Sequence, residues 1–110
     1  MTAPEAFEAL IRTLRQIQSI LPADKTAWDD DWVLQLAIER LWILAGNLSE
    51  TYRLEVGIPA GVEPWSELAA YRNILAHALP GDISSDRVYA DSSTDVETII
   101  ETLLQGLDQR

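Results

Sequence analysis

Hydrophobic residues recur with a helical period at the start of this chain. The stretch TAPEAFEALIRTLRQIQSILP opens with Thr2 and Glu5, which have the spacing of a capping box. Pro4 suits a first helical turn, and Pro22 is expected to follow the helix end. The pattern predicts a helix over about residues 2 to 21 with one buried stripe, made of Phe7, Leu10, Leu14, Ile17 and Leu21.

The longest apolar segment runs from Asp30 to about Glu55, and its apolar positions cover more than one helical face. One set comprises Trp32, Leu36, Leu41, Leu44, Leu48 and Tyr52, and a second comprises Val33, Leu34, Ile38, Trp42 and Ile43. Such a helix is predicted to pack on two sides, against its own bundle and against a second subunit. Gly46 and Asn47 interrupt it. Because a mid-helix glycine costs about 1 kcal/mol, close approach of another helix is the simplest reason for Gly46.

Two shorter helices are predicted in the second half of the chain. Pro64 suits the first turn of a helix from Trp65 to about Leu79, which Pro80 ends. Its core candidates are Trp65, Leu68, Ala69, Ile74 and Leu75. A polar connector follows, with a short helical turn around 86–89, and a capping box of Thr94 and Glu97 then opens the last helix. That helix turns inward Val96, Ile99, Ile100, Leu103 and Leu107.

The segment ADKTAWDDD, before the long helix, reads as a polar connector. Its acids suit the positive end of the following helix dipole better than they suit a metal site. Trp28 lies in this connector and is expected to be the most exposed tryptophan, whereas Trp32, Trp42 and Trp65 are expected to be core or interface anchors. No alternating strand pattern occurs, so we predict an all-α antiparallel bundle of four to five helices in a single domain, 1–110.

Composition narrows the classes of function. The formal net charge is −10, from 18 acids and 8 bases, so a broad nucleic-acid-binding surface is disfavoured and any RNA contact must be local. With no cysteine and one histidine, we expect neither a metal site nor another cofactor. No apolar run approaches the roughly 20 residues that cross a bilayer, and the N-terminus lacks the pattern of a secretion signal. We therefore expect a cytoplasmic protein without a membrane partner.

The segment RNILAH contains the single histidine, five residues after Arg72. Five residues advance about 140° around a helix, so Arg72 and His77 would not share a face, whereas Asn73 and His77 would. Arg-x4-His alone is a weak pattern. A histidine near the C-terminal end of a helix is often a cap that interacts favourably with the negative end of the helix dipole. The alternative is that Arg72 and His77 belong to one active site, with the arginine stem reaching around the last turn.

Several ordered features resemble the HepT-like branch of the HEPN superfamily, the toxin half of HEPN/minimal nucleotidyltransferase toxin–antitoxin pairs. They are the Asp24-Lys25 start, the helix AIERLWILAGNLSE with a late glycine, a proline-tryptophan pair before the third helix, and the RNxLxH core. The resemblance implies a homodimer and a metal-independent ribonuclease. It also implies that Arg72 and His77 of both subunits form the catalytic cleft, with Asn73 as a supporting polar residue.

The sequence departs from this family at Leu79, where Arg-x4-His-x-Tyr would place the tyrosine that receives AMP from a nucleotidyltransferase antitoxin. Tyr71 is a candidate AMP acceptor or RNA contact, but it lies at another position of the motif. The alternative function is a non-catalytic helical partner, or substrate-recognition subunit, of a minimal nucleotidyltransferase. A purely structural dimerisation module is a third, weaker alternative.

Overall fold

The chain is an all-α helical bundle, as its hydrophobic pattern predicts. The computed structural model describes residues 1–79 and 82–108, with the side chains of 107 and 108 left out. These residues form five helices and no strand: α1 Ala3–Ile20, α2 Lys25–Asp29, α3 Trp32–Val56, α4 Trp65–His77 and α5 Ser85–Asp108. The predicted helix stop at Pro80 and the inward Leu107 side chain lie outside the described residues.

Helix α1 begins at the predicted capping box. The Thr2 hydroxyl accepts a hydrogen bond from the Glu5 backbone N–H at 3.3 Å, and the Glu5 carboxylate accepts one from the Thr2 backbone N–H at 3.3 Å. Both contacts satisfy backbone N–H groups that the first helical turn leaves without partners. Four of the five predicted stripe residues are buried, namely Phe7, Leu10, Leu14 and Ile17.

Helix α3 is the centre of the bundle, with α1 and α4 both packed against it. The Asp31 carboxylate caps its first turn by accepting from the Leu34 N–H at 3.0 Å, so at least this acid of the DDD run serves the helix start. The helix ends at Gly57, whose φ of 78° is left-handed and favours glycine. Its inner face buries Ile38, Trp42, Ala45, Ser49 and Tyr52.

The connector before α3 contains a short helix, α2, and the prediction that Trp28 is exposed was wrong. Trp28 is fully buried, and its indole Nε1–H donates to the Ser85 carbonyl oxygen at 3.1 Å. Its ring packs against Tyr89 with the ring centroids 5.5 Å apart. Trp32, which was predicted to be a core or interface anchor, is 69% exposed and so does not belong to the core, while its role at an interface stays a prediction. Trp28 therefore ties α2 to the first turn of α5.

Helix α5 begins at Ser85, so the helical turn predicted around 86–89 is confirmed, whereas the predicted connector after it, over 90–93, and the capping box at Thr94 were wrong. The Thr94 hydroxyl donates to the Ala90 carbonyl oxygen one turn back at 2.8 Å instead of capping a new helix. The Ser92 hydroxyl donates to the Val88 carbonyl oxygen at 2.7 Å and accepts from the Trp42 indole N–H at 2.9 Å. Hydroxyl groups that bond back along the helix let a serine- and threonine-rich run remain helical.

Helix α4 carries the Arg-x4-His segment and ends at His77, two residues earlier than predicted. Trp65, Leu68 and Leu75 are buried as expected, but Ile74 is 54% exposed and was wrongly assigned to the core. Among the helices described, none is both long enough and apolar enough to cross a membrane.

Candidate functional site

The candidate site begins where α4 crosses α3 at Gly46. An added β-carbon on this buried glycine would overlap the Arg72 Cβ atom and lie 3.0 Å from the Leu68 carbonyl oxygen. Such contacts are closer than packed atoms tolerate, so α4 can lie this near to α3 only if residue 46 has no side chain. The close helix approach predicted at Gly46 is confirmed, and the residue approached most closely is Arg72.

Two asparagine side chains hold the Arg72 guanidinium over this crossing. Its Nε and Nη2 donate to the Asn73 Oδ1 at 3.1 and 3.0 Å, and its Nη1 donates to the Asn47 Oδ1 at 3.5 Å. Asn73 was predicted as the supporting residue, whereas the role of Asn47 was missed. The available signal was the Gly46–Asn47 pair, which interrupts a run of good helix formers.

Arg72 is set apart from the other bases by its hydrogen bonds to amide oxygens and not by the lack of an ion pair, since within the described residues Arg12 and Arg40 form none either. Four other basic residues form ion pairs with carboxylates, namely Arg15, Lys25, Arg53 and Arg87. Within the described residues no carboxylate forms an ion pair with Arg72, whose hydrogen bonds go to neutral amide oxygens. The Arg72 charge also acts on Glu50. The pKa of this carboxyl lies below its usual value, chiefly because of the Arg53 guanidinium and to a lesser degree because of Arg72. Arg72 is therefore a positioned cation that can bind an anion bidentately.

His77 is the last residue of α4 and is exposed to solvent. Since α4 is helical throughout, Arg72 and His77 point about 140° apart around its axis. Asn73 and His77, one turn apart, share a face. One chain therefore brings Arg72 and Asn73 together but directs His77 away from Arg72, and a site that uses both groups requires either an arginine that reaches around the helix or a second subunit.

Tyr71, the candidate AMP acceptor, faces a cleft between α4 and α5. Its ring packs on Trp42 with the centroids 4.9 Å apart, and its hydroxyl oxygen exposes less than 1 Å² to solvent. Burial, reinforced by the nearby Asp91 carboxylate, raises the pKa of this hydroxyl. Transfer of AMP to Tyr71 would require the cleft to open, and the role stays a prediction. Leu79, in the family's tyrosine position, is 71% exposed.

An apolar strip on α3 lies exposed on the side of the bundle that carries Asn47. Trp32, Val33 and Leu36 are 69%, 58% and 56% exposed. On a helical wheel Trp32, Leu36 and Asn47 lie within about 60° of one another, so Asn47 lies on the same side of α3 as the strip, with the charged Glu39 and Arg40 between them. Exposed apolar clusters of this kind mark interaction surfaces.

Comparison of the chain with protein-family models, with curated proteins and with solved structures finds no match. In the described part of the chain, no group of three or more histidine, aspartate or glutamate side chains is placed to hold a metal ion.

Proposed function

We propose that this protein is a HepT-like ribonuclease toxin of the HEPN superfamily, formed by a single domain that acts as a homodimer in the cytoplasm. Arg72 and His77 of both subunits line one RNA-cleaving cleft, and a small nucleotidyltransferase antitoxin neutralises the toxin. The observation that carries this proposal is the setting of Arg72. In a chain of net charge −10, this arginine is held by Asn47 and Asn73 and has no carboxylate partner among the described residues.

The chemistry of RNA cleavage without a metal fits these groups. The 2′-hydroxyl attacks the adjacent phosphorus, the bond to the 5′-oxygen of the next nucleotide breaks, and a 2′,3′-cyclic phosphate is left. One group must accept the hydroxyl proton, another must donate a proton to the leaving oxygen, and a cation must stabilise the phosphorane. Histidine suits proton transfer near neutral pH, and arginine suits the phosphate. One histidine cannot be base and acid at once, whereas a dimer supplies two.

The exposed strip of α3 supports the dimer in this proposal. If Trp32, Val33 and Leu36 pack against the same strip of a second subunit, Asn47 and Arg72 lie at the edge of that contact. A twofold interface in which the two α3 helices run in the same direction would place both α4 helices near each other, because Asn47 lies about 16 Å along α3 from Leu36. The separation of Arg72 and His77 around one helix is then overcome by pairing groups across subunits.

Replacing Arg72 by alanine is expected to slow RNA cleavage by about 10²–10³-fold, because the phosphorane loses its preorganised cation. The assay uses purified protein and single-stranded RNA in the presence of a metal chelator. Arg12→Ala is the matched control, because Arg12 is exposed on α1. Cleavage by Arg72→Ala at the rate of the control would contradict the assignment of the site.

Replacing Leu36 by glutamate is expected to shift the protein from dimer to monomer. The substitution places a charge within the apolar strip, where it would have to be desolvated against a partner. Ile20→Glu is the control, since Ile20 is also exposed, at 41%, but lies at the end of α1. Analytical ultracentrifugation measures the mass. A dimer that survives Leu36→Glu as well as Ile20→Glu would exclude this strip as the interface.

A second candidate is a non-catalytic companion of a nucleotidyltransferase, and the observation that favours it is the 71% exposed Leu79 in place of the tyrosine. An exposed leucine and an acidic surface suit a protein partner better than they suit RNA. Purified protein that cuts no RNA but co-purifies with a nucleotidyltransferase would favour this alternative over the ribonuclease.

A further inference from the structure

The exposed side of α3 continues past Asn47 to a second exposed leucine. Leu54 is 65% exposed, and it follows Leu36 by five full helical turns, so the two side chains point in the same direction about 27 Å apart. The residues that lie within about 60° of this direction form what we call the outer face of α3, and they are Trp32, Val33, Leu36, Glu39, Arg40, Ile43, Asn47, Glu50, Thr51 and Leu54.

Two opposite charges occupy matching positions on the outer face. Arg40 lies one helical turn after Leu36, and Glu50 lies one turn before Leu54. Arg40 is exposed and forms no ion pair within the described residues. The Glu50 carboxylate binds Arg53 at 2.6 Å and, like any carboxylate, has lone pairs for a further donor. A second copy of the outer face, turned end for end, therefore sets each Arg40 opposite a Glu50.

We infer that two copies of this chain pair along the outer face of α3, with the two α3 helices running in opposite directions. The twofold axis then passes between the helices at the level of Ala45, halfway between Leu36 and Leu54. Four facing pairs, each made twice, follow from this register: Leu36 with the partner's Leu54, Glu39 with the partner's Thr51, Arg40 with the partner's Glu50, and Ile43 with the partner's Asn47.

Helices that run in the same direction fit this face less well. That pairing sets Arg40 against the partner's Arg40, and like charges in contact are unfavourable. Gly46, where α4 crosses α3, points about 80° away from Leu36, so α4 flanks the outer face. An axis parallel to the helices brings both α4 helices to the same level but on opposite sides of the pair. The perpendicular axis of the opposite-direction pair keeps both α4 helices on one side.

This inference rests on the homodimer of the proposed function and states how its shared site is assembled. Asn47 lies two residues from the level of the axis, so the two Asn47 residues are about 6 Å apart along the helix direction. Packed helix axes are about 8–10 Å apart. The Arg72 guanidinium that each Asn47 contacts therefore lies beside the twofold axis, and both guanidinium groups border one groove.

Disulfide cross-linking reads the direction of the helices, because the chain has no cysteine of its own. A disulfide requires Cα atoms within about 7 Å of each other. The chain that carries both Leu36→Cys and Leu54→Cys is expected to form a covalent dimer on oxidation with copper phenanthroline. Each single variant is expected to stay uncrosslinked, because identical positions of the two copies lie about 27 Å apart. Leu36→Cys combined with Glu101→Cys is the matched control, since Glu101 is exposed on α5.

Arg40→Gln tests the ion pairs without changing either leucine. Loss of two Arg40–Glu50 pairs is expected to raise the dissociation constant of the dimer about tenfold at about 0.15 M salt. In a same-direction pair the substitution would relieve repulsion and lower the dissociation constant instead. Arg12→Gln removes the same charge from an exposed position of α1 and should change the constant less than about twofold. Analytical ultracentrifugation measures all three proteins.

Four results would overturn the pairing: a monomeric parent protein, covalent dimers of either single cysteine variant, a dimer that the paired cysteines do not cross-link, or a dimer that Arg40→Gln tightens. None of these measurements uses RNA. The expected cross-linking pattern in a protein that cuts no RNA would contradict the proposed ribonuclease and leave the pairing in place. RNA cleavage by a dimer without this pattern would contradict the pairing alone.

Discussion

Replacing His77 by alanine is expected to lower the rate of RNA cleavage by about 10²–10⁴-fold, the contribution typical of a positioned proton-transfer group. Because His77 is exposed at the end of α4, the free energy of unfolding should change by no more than about 0.5 kcal/mol. The initial rate of cleavage of a labelled RNA measures the first effect, and thermal unfolding measures the second. Growth inhibition by the expressed protein should be lost in parallel.

His77→Gln provides the control for shape. Glutamine can donate and accept hydrogen bonds but cannot take up or release a proton near neutral pH. We expect it to be as inactive as alanine, and the dimer to persist in both variants. If glutamine restores cleavage, His77 positions a group instead of transferring a proton. If alanine leaves cleavage and toxicity unchanged, His77 is a helix cap and the catalytic assignment is wrong.

Replacing Gly46 by alanine is expected to damage both the fold and the site. The new β-carbon would overlap Arg72 Cβ and crowd the Leu68 carbonyl oxygen, neither of which can move without moving α4. Overpacking costs about 1–3 kcal/mol, and alanine recovers about 1 kcal/mol of helix propensity. We therefore expect the free energy of unfolding to fall by about 1 kcal/mol, and cleavage to fall about 10²-fold if Arg72 shifts by about 1 Å.

The matched control is Gly106→Ala in α5. Nothing lies within 4 Å of the β-carbon position of Gly106, so alanine there gains propensity without a clash. That variant should be as stable as the parent or more stable by up to about 1 kcal/mol, with unchanged cleavage. Chemical denaturation of the two variants measures the difference. Equal stability would show that α3 and α4 can separate at no cost.

Elements of the fold were predictable where the residues that indicate them lie within one helical turn of one another. Thr2 and Glu5 are three residues apart, and the structure confirms their capping box. Thr94 and Glu97 have the same spacing but lie inside α5, because the hydroxyl of Thr94 finds the Ala90 carbonyl instead. Side chains of this kind can cap a helix or bond back within it, and only the packing of the neighbouring residues decides between the two.

Burial and side-chain contacts were less predictable when the partner lies far along the chain. The acids around Trp28 indicated exposure, yet its indole binds the carbonyl of Ser85, 57 residues away. Similarly, the spacing of Arg72 and Asn73 was visible in the sequence, whereas the contact from Asn47, 25 residues earlier, was not. The close helix approach at Gly46 was predictable, because a glycine destabilises a helix interior and a tertiary contact is needed to explain its presence there.

The packing of α4 has a consequence for the dynamics of the molecule. Among the described residues α4 makes most of its close contacts with α3, whereas the cleft separates it from α5. A helix anchored along one seam forms a small cooperative unit that opens at a lower free energy than the rest of the domain. The amide hydrogens of α4 should therefore exchange with solvent before those of α1 and α3. A contact that strengthens the packing of α4 on α3, or that fills the cleft, would lengthen the time for which Arg72 stays in place.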